Sequence, residues 1–221
     1  MNERGIALIA GLVLLSAISL LGLMAASGMI LQKHMASNSR QDMLALEYSE
    51  IAGSYASRWL FSRPNYEREA DCISNCVLPV AIRSAGELPP LAEYQSAAWW
   101  RANGIEAGTH PVSGEKTISY ENSGSEPPLW ILEELYFQPI AGNALEDGTE
   151  GIAYYRILAR GSGIHPASVA VTESIVARPW GGDYQLGEFP PDPEPDDFCT
   201  QFDQQSHPQF SCGRLAWRQR R

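Results

Sequence analysis

Between Arg4 and Lys33 the chain carries no charged side chain, and between Met1 and Ser62 it carries no proline. The first absence excludes the core helix of a soluble domain, which would not stay apolar on every side for so long. The second lets one helix run without a break. The stretch Ile6–Leu31 exceeds the roughly 20 apolar residues that a helix needs to cross a hydrocarbon layer of about 30 Å. Ala25-Ala26-Ser27 has the look of a signal-peptide cleavage site, but the apolar region of such a peptide normally ends after about 7–15 residues. The reading is a membrane-spanning helix.

Basic residues are also scarce. Lys and Arg total 16 against 26 Asp and Glu, giving a net charge of −10 and a pI near 4.8. This excludes nucleic acid as a partner, because binding phosphates requires a concentrated basic face. Only Arg214, Arg218, Arg220 and Arg221 cluster, and they read as a solvated tail. Missing too are a phosphate-binding Gly-x-x-x-x-Gly-Lys, a Gly-x-Ser-x-Gly elbow and a His-Glu-x-x-His pair. His34, His110, His165 and His207 share no spacing with carboxylates. Ser162, His165 and Asp147 make a triad on paper, as some triple does in any chain of this size. No catalytic residue and no cofactor is expected, and the chain reads as a non-enzyme.

Four cysteines are present, Cys72, Cys76, Cys199 and Cys212, all beyond the apolar run. Four allow three pairings, and the local one, Cys72–Cys76 with Cys199–Cys212, is preferred because each pair brackets a turn-rich stretch. A zinc site is the alternative, but Cys-x-x-x-Cys without a nearby His matches the usual spacing poorly. Disulfides imply an oxidising compartment outside the cytoplasm. They decide the orientation that the flanking charges leave open, since Glu3 offsets Arg4 while Lys33 and Arg40 follow the span.

After a polar leader (1–5) and the membrane segment (6–32), the pattern over 33–62 becomes one-sided. Leu44, Tyr48, Ile51, Tyr55 and Trp59 recur at helical steps of four and three, with polar residues between them. Pro64 stops the helix, and Arg63 before it is pushed away from helical angles. The stripe requires cover from something further along the chain. Residues 63–128 read as irregular, with one short helix at 91–102 carrying Trp99 and Trp100. Two adjacent indoles cannot share one helical face, and an intra-domain role is preferred to ligand stacking. Strands are predicted at 130–137, 152–159 and 168–177 within a meander spanning 129–180. Joined by short turns they form an antiparallel meander with one face open to a helix. The expected fold is therefore α+β, a long N-terminal helix laid on a small antiparallel sheet. Residues 181–221 form a Pro-rich acidic tail with the Cys199–Cys212 loop. Asp192, Glu194, Asp196 and Asp197 offer oxygens to calcium, yet alternating prolines fit a stiff extended linker better, and no EF-hand spacing occurs.

A short leader ending in glycine, an immediate apolar helix, its amphipathic continuation and a disulfide-bearing meander together resemble type IV pilins and pseudopilins. The wording Arg4-Gly5-Ile6-Ala-Leu-Ile, Leu14-Leu15, Leu20-Leu21-Gly22-Leu23 and Met35-Ala-x-Asn38 is similar to the PilX-type minor pilins. So are Tyr155-Arg156-Ile-Leu-Ala-Arg160-Gly161 and the closing Gly213-Arg214-Leu-Ala-Trp217-Arg218. The resemblance covers residues 4–62 and 150–180 well and 63–128 weakly. It implies cleavage by prepilin peptidase between Gly5 and Ile6 and methylation of the new Ile6 amine. It also implies residence in the inner membrane with a periplasmic domain, then incorporation into an extracellular pilus that serves twitching motility and adhesion. Its partners would be the major pilin, other minor pilins and a tip adhesin. Typical pilins have Glu where this chain has Ala10, a carboxylate thought to meet the amine of the neighbour ahead. A subunit without it fits the tip, where nothing lies ahead. The alternatives are a secretion-system pseudopilin and a signal-anchored periplasmic binding protein or enzyme.

Overall fold

A helix-favouring run without proline, ended by Pro64, becomes in the computed structural model a single helix α1 (Glu3–Ser62) of 60 residues. The structure describes residues 3–63, 82–118, 126–139, 150–165, 167–181, 198–200 and 211–220, with 3–10 described by their backbone alone. The chain divides into two units, residues 1–41 and 42–221.

In the first unit every residue from Gly11 to Arg40 is exposed. Three hydroxyls within the apolar run, those of Ser16, Ser19 and Ser27, are satisfied within the helix. Ser16 and Ser19 donate to the carbonyls of Leu12 and Leu15, each at 2.8 Å, and Ser27 donates to that of Met24 at 2.9 Å. Such back-bonding keeps these three hydroxyls from facing an apolar solvent without a partner. The helix is long and apolar enough to cross a membrane.

The second unit is α+β, with the end of α1 on one face of a mixed sheet. The strands are β1 (Ile82–Arg83), β2 (Ile105–Glu106), β3 (Leu129–Pro139), β4 (Gly151–Ser162), β5 (Val169–Trp180) and β6 (Gly213–Arg220). Their order is β1-β3-β4-β5-β6, with β2 also on β3. The antiparallel core β3-β4-β5 pairs Ile131 with Leu158 and Leu158 with Glu173. Two features depart from the sequence reading. β1 runs parallel to β3, so the sheet is mixed; a two-residue strand is too short to leave a periodic signal. Arg214, Arg218 and Arg220 do not form a tail, because Gly213–Arg220 pairs antiparallel to β5; Arg221 lies outside the described residues.

Strand alternation divides the core in two. On the α1 side lie Trp130, Leu132, Ala153, Tyr155, Ile157, Ala159, Val176 and Trp180. On the other side Leu129, Ile131, Leu158 and Val171 pack under Leu88, Ala92 and Trp100. That cover comes from a 3-10 turn (Ala92–Tyr94) and a short helix α2 (Ala97–Asn103), whose N-cap Ser96 accepts the Trp99 N–H at 3.2 Å. Trp100 is buried with its Nε1 donating to the Ala92 carbonyl at 3.1 Å. Trp99 is partly buried and meets it edge-to-face at 5.6 Å. The adjacent indoles thus both serve the domain.

Candidate functional site

The helix–sheet seam is built from small side chains. Buried along α1 are Ala45, Ser49, Ala52, Ala56 and Trp59, joined towards the end of the helix by Tyr55, Leu60 and Phe61. The steps of four, three, four and three from Ala45 to Trp59 define one helical face. The predicted stripe is offset from it. Tyr55 and Trp59 are buried as expected, whereas Leu44, Tyr48 and Ile51 are only half-buried, flanking the contact. Small residues let the two backbones approach closely, and β4 answers with Ala159 and Gly161. A Cβ on Gly161 would run into the Ala45 carbonyl oxygen and the Ser49 amide, and would lie 2.8 Å from the Tyr48 carbonyl carbon. A Cβ on Gly53 would sit 3.6 Å from that of Ala159. At the edge of the seam Ser168 Oγ donates to Asp42 at 3.0 Å.

The far end of the seam is aromatic and cationic. Trp59 packs on Trp130 at 5.6 Å, and the Arg63 guanidinium stands 5.1 Å from the Trp59 ring. Arg178 is fully buried, lies 3.6 Å over Trp180 and donates to the Arg63 carbonyl. This bond secures the C-terminal end of α1, where the last carbonyls lack helical donors. Burial lowers the Arg178 pKa to about 9, with Tyr155 opposing the shift and Arg63 adding to it. Burial also raises the Tyr155 hydroxyl well above its ordinary value, assisted by the Glu134 carboxylate that accepts its hydrogen bond at 3.1 Å.

The disulfide Cys199–Cys212 holds this end closed. Phe198 meets Phe61 at 5.3 Å, and both cysteines pack on the same core. Gly213, at φ +88, turns the chain from the disulfide into β6. A loop of 13 residues closed in this way stabilises the fold by about 3 kcal/mol in the chain-entropy model. Cys72 and Cys76 lie outside the described residues, as do Asp192, Glu194, Asp196 and Asp197. Among the described residues no three His, Cys, Asp or Glu side chains converge as a metal site. Ser162 is buried, His165 accepts the Ala167 N–H at 3.3 Å within its own turn, and Asp147 is not among the described residues.

Two buried carboxylates escaped the sequence reading. Glu133 on β3 is fully buried, and its Oε1 accepts the Gly86 N–H at 2.8 Å. Its Oε2 accepts from Arg156 Nε at 2.8 Å and Nη2 at 2.5 Å. Glu173 on β5 meets Arg218 at 2.8 Å and Arg220 at 3.0 Å, while Arg220 also reaches Glu93 at 3.2 Å. These pairs explain why an Arg-rich C-terminus belongs to the sheet. Alternation sends Arg218 and Arg220 to the face where Glu173 and Glu93 stand.

Gly5, Ile6 and Ala10 fall within the first turns of α1. No family model, curated protein or solved structure matches the chain.

Proposed function

We propose that the chain is a minor pilin of the PilX type that helps to initiate a type IV pilus and stands at or near its tip. The observation that supports this reading is the single helix α1. Its first half is exposed and apolar over a membrane's thickness, and its second half is the spine of a disulfide-closed sheet domain. A helix of this kind has an apolar solvent before assembly and a bundle of like helices after it. The disulfide supports an oxidising compartment for the domain, hence a periplasmic location before export to the pilus. Ala10 supports the tip position. In lipid a Glu at that depth costs several kcal/mol unless a partner amine neutralises it, and a subunit with nothing ahead of it has no such partner. The function is structural and not enzymatic, with other minor pilins, the major pilin and an adhesin as partners.

Mass spectrometry of the N-terminal peptide in native fibres tests the reading. The expected species begins at Ile6 and carries an N-methyl group; Met1 intact in assembled fibres would overturn it. Ala10→Glu is expected to move the subunit from the tip into the shaft, read by gold labelling along the fibre. Loss of secretion with twitching intact in a deletion strain would assign the chain to a pseudopilus instead.

A further inference from the structure

We infer that the outer edge of β6 is a docking strand for an extended acidic segment of a partner protein. Among the described residues β6 pairs on one side only, with β5, and Arg214 through Arg218 are all exposed. A free strand edge offers a row of amides and carbonyls that another chain can complete.

The chemistry of this edge differs from that of the protein around it. The chain as a whole carries −10, yet the segment Ser211–Arg221 holds four arginines and no acidic side chain. Two of those arginines, on opposite faces of the strand, project largely into solvent. Arg214 is 60% exposed and only 3.9 Å from Glu50, while Arg218 is 63% exposed beyond its contact with Glu173. A register shift in the β5–β6 ladder between Ile175 and Val176 leaves Leu215 as the extra residue and brings Arg214 onto the face of Trp217. Both then reach Glu50, whose Oε1 accepts the Trp217 Nε1–H at 2.6 Å. The indole is therefore held in one orientation while 46% of the residue stays in solvent. An oriented, half-exposed Trp between two exposed Arg is the composition in which binding energy concentrates at interfaces.

Charge selects the occupant. A second copy pairing edge to edge would bring another strand of arginines without an acidic side chain alongside the first, concentrating like charge along the seam. An acidic strand would lay carboxylates beside Arg214 on one face and Arg218 on the other. The same charges and the bulge keep the edge from pairing indiscriminately.

The test uses the full-length protein in lipid nanodiscs and follows amide hydrogen exchange in the 213–220 segment. The probe is a short synthetic peptide of alternating glutamate and valine, compared with its lysine counterpart and with a version N-methylated at alternate residues, which cannot form a ladder. The acidic peptide is expected to slow β6 exchange about tenfold or more at saturation, and neither control should. Arg214→Gln with Arg218→Gln, or Trp217→Ala, should weaken its binding about tenfold while exchange in β3 and β4 stays unchanged. No slowing by the acidic peptide, or equal slowing by the lysine peptide, would overturn the inference. Binding untouched by these substitutions would overturn it as well. Slowing without peptide that grows with protein concentration would replace it by self-association.

Discussion

The two halves of α1 are made from similar residues under opposite rules. From Gly11 to Arg40 the large apolar side chains are exposed, with none of the described residues covering them. From Asp42 to Ser54 the buried positions are Ala45, Ser49 and Ala52, while Leu44, Tyr48 and Ile51 lie at the margin. Large side chains (Tyr55, Trp59, Leu60, Phe61) are buried only beyond them. In the first half hydrophobicity decides the environment, because an apolar solvent accepts any large side chain. In the second half shape decides it. A helix can lie directly on a strand only where both present little more than backbone, and side chains too large for the gap are displaced to its flanks. The difference shows that the most hydrophobic stripe of a helix need not be its contact face.

The strongest way to break this comparison is to put volume into the seam. Gly161→Val drives side-chain atoms into the backbone of α1 at Ala45 and Ser49, which cannot yield without lifting the helix. A loss of about 4 kcal/mol or more is expected, enough to unfold much of the second unit. Thermal unfolding of the full chain in detergent measures it, and a shift of only a degree or two would show that the contact is looser than its geometry. The reverse experiment is a charge in the first half. Leu21→Arg leaves the melting of the sheet domain unchanged but costs about 2.5–3.5 kcal/mol of membrane insertion at the centre of the span. Fractionation of membrane from soluble material reads that cost. Unaltered insertion would argue against a spanning role for this half.

Much of this architecture is legible in the chain. The missing charges, the missing proline and the strand-like runs at 152–159 and 168–177 place α1, β4 and β5 within a few residues of where they lie. The contact face was legible too, in the spacing of Ala45, Ser49, Ala52 and Ala56, but large apolar residues one position away carry the louder signal. Glu133 and Arg178 could not be read, because a buried charge is tolerated only through partners far away in sequence, Gly86 and Arg156 for one and Arg63 for the other. β6 was obscured for the same reason. Its arginines look solvated until Glu173 and Glu93 are brought beside them.

A finer test sets neighbours in the seam against each other. Ala52→Leu adds volume where there is none to spare and should cost about 1–3 kcal/mol. Ile51→Ala removes a half-buried side chain one position away and should cost about 1 kcal/mol or less. Chemical denaturation of the two variants ranks them, and the opposite order would restore the apolar stripe as the contact face.

The far end of the seam is probed through pH. Tyr155→Phe removes the hydrogen bond to Glu134 and should cost about 1–2 kcal/mol at neutral pH. A tyrosine in the unfolded chain ionises near pH 10.0, whereas buried Tyr155 keeps its proton well beyond that. Above pH 10 the unfolded state therefore binds fewer protons than the native state, and wild-type stability falls as pH rises. The variant lacks this loss, so the gap between the two proteins should narrow steadily above pH 10. Arg178 works in the other direction, since its native pKa of about 9 lies below that of an arginine in the unfolded chain, which therefore holds the extra proton above pH 9. Because Tyr155 opposes that shift, its removal enlarges the Arg178 contribution in the variant, which narrows the gap in the same sense as pH rises. Stability measured at several pH values between about 8 and 11 decides the matter. A gap that stays constant would mean that Tyr155 ionises in the fold as freely as in water, and that the end of α1 is open to solvent.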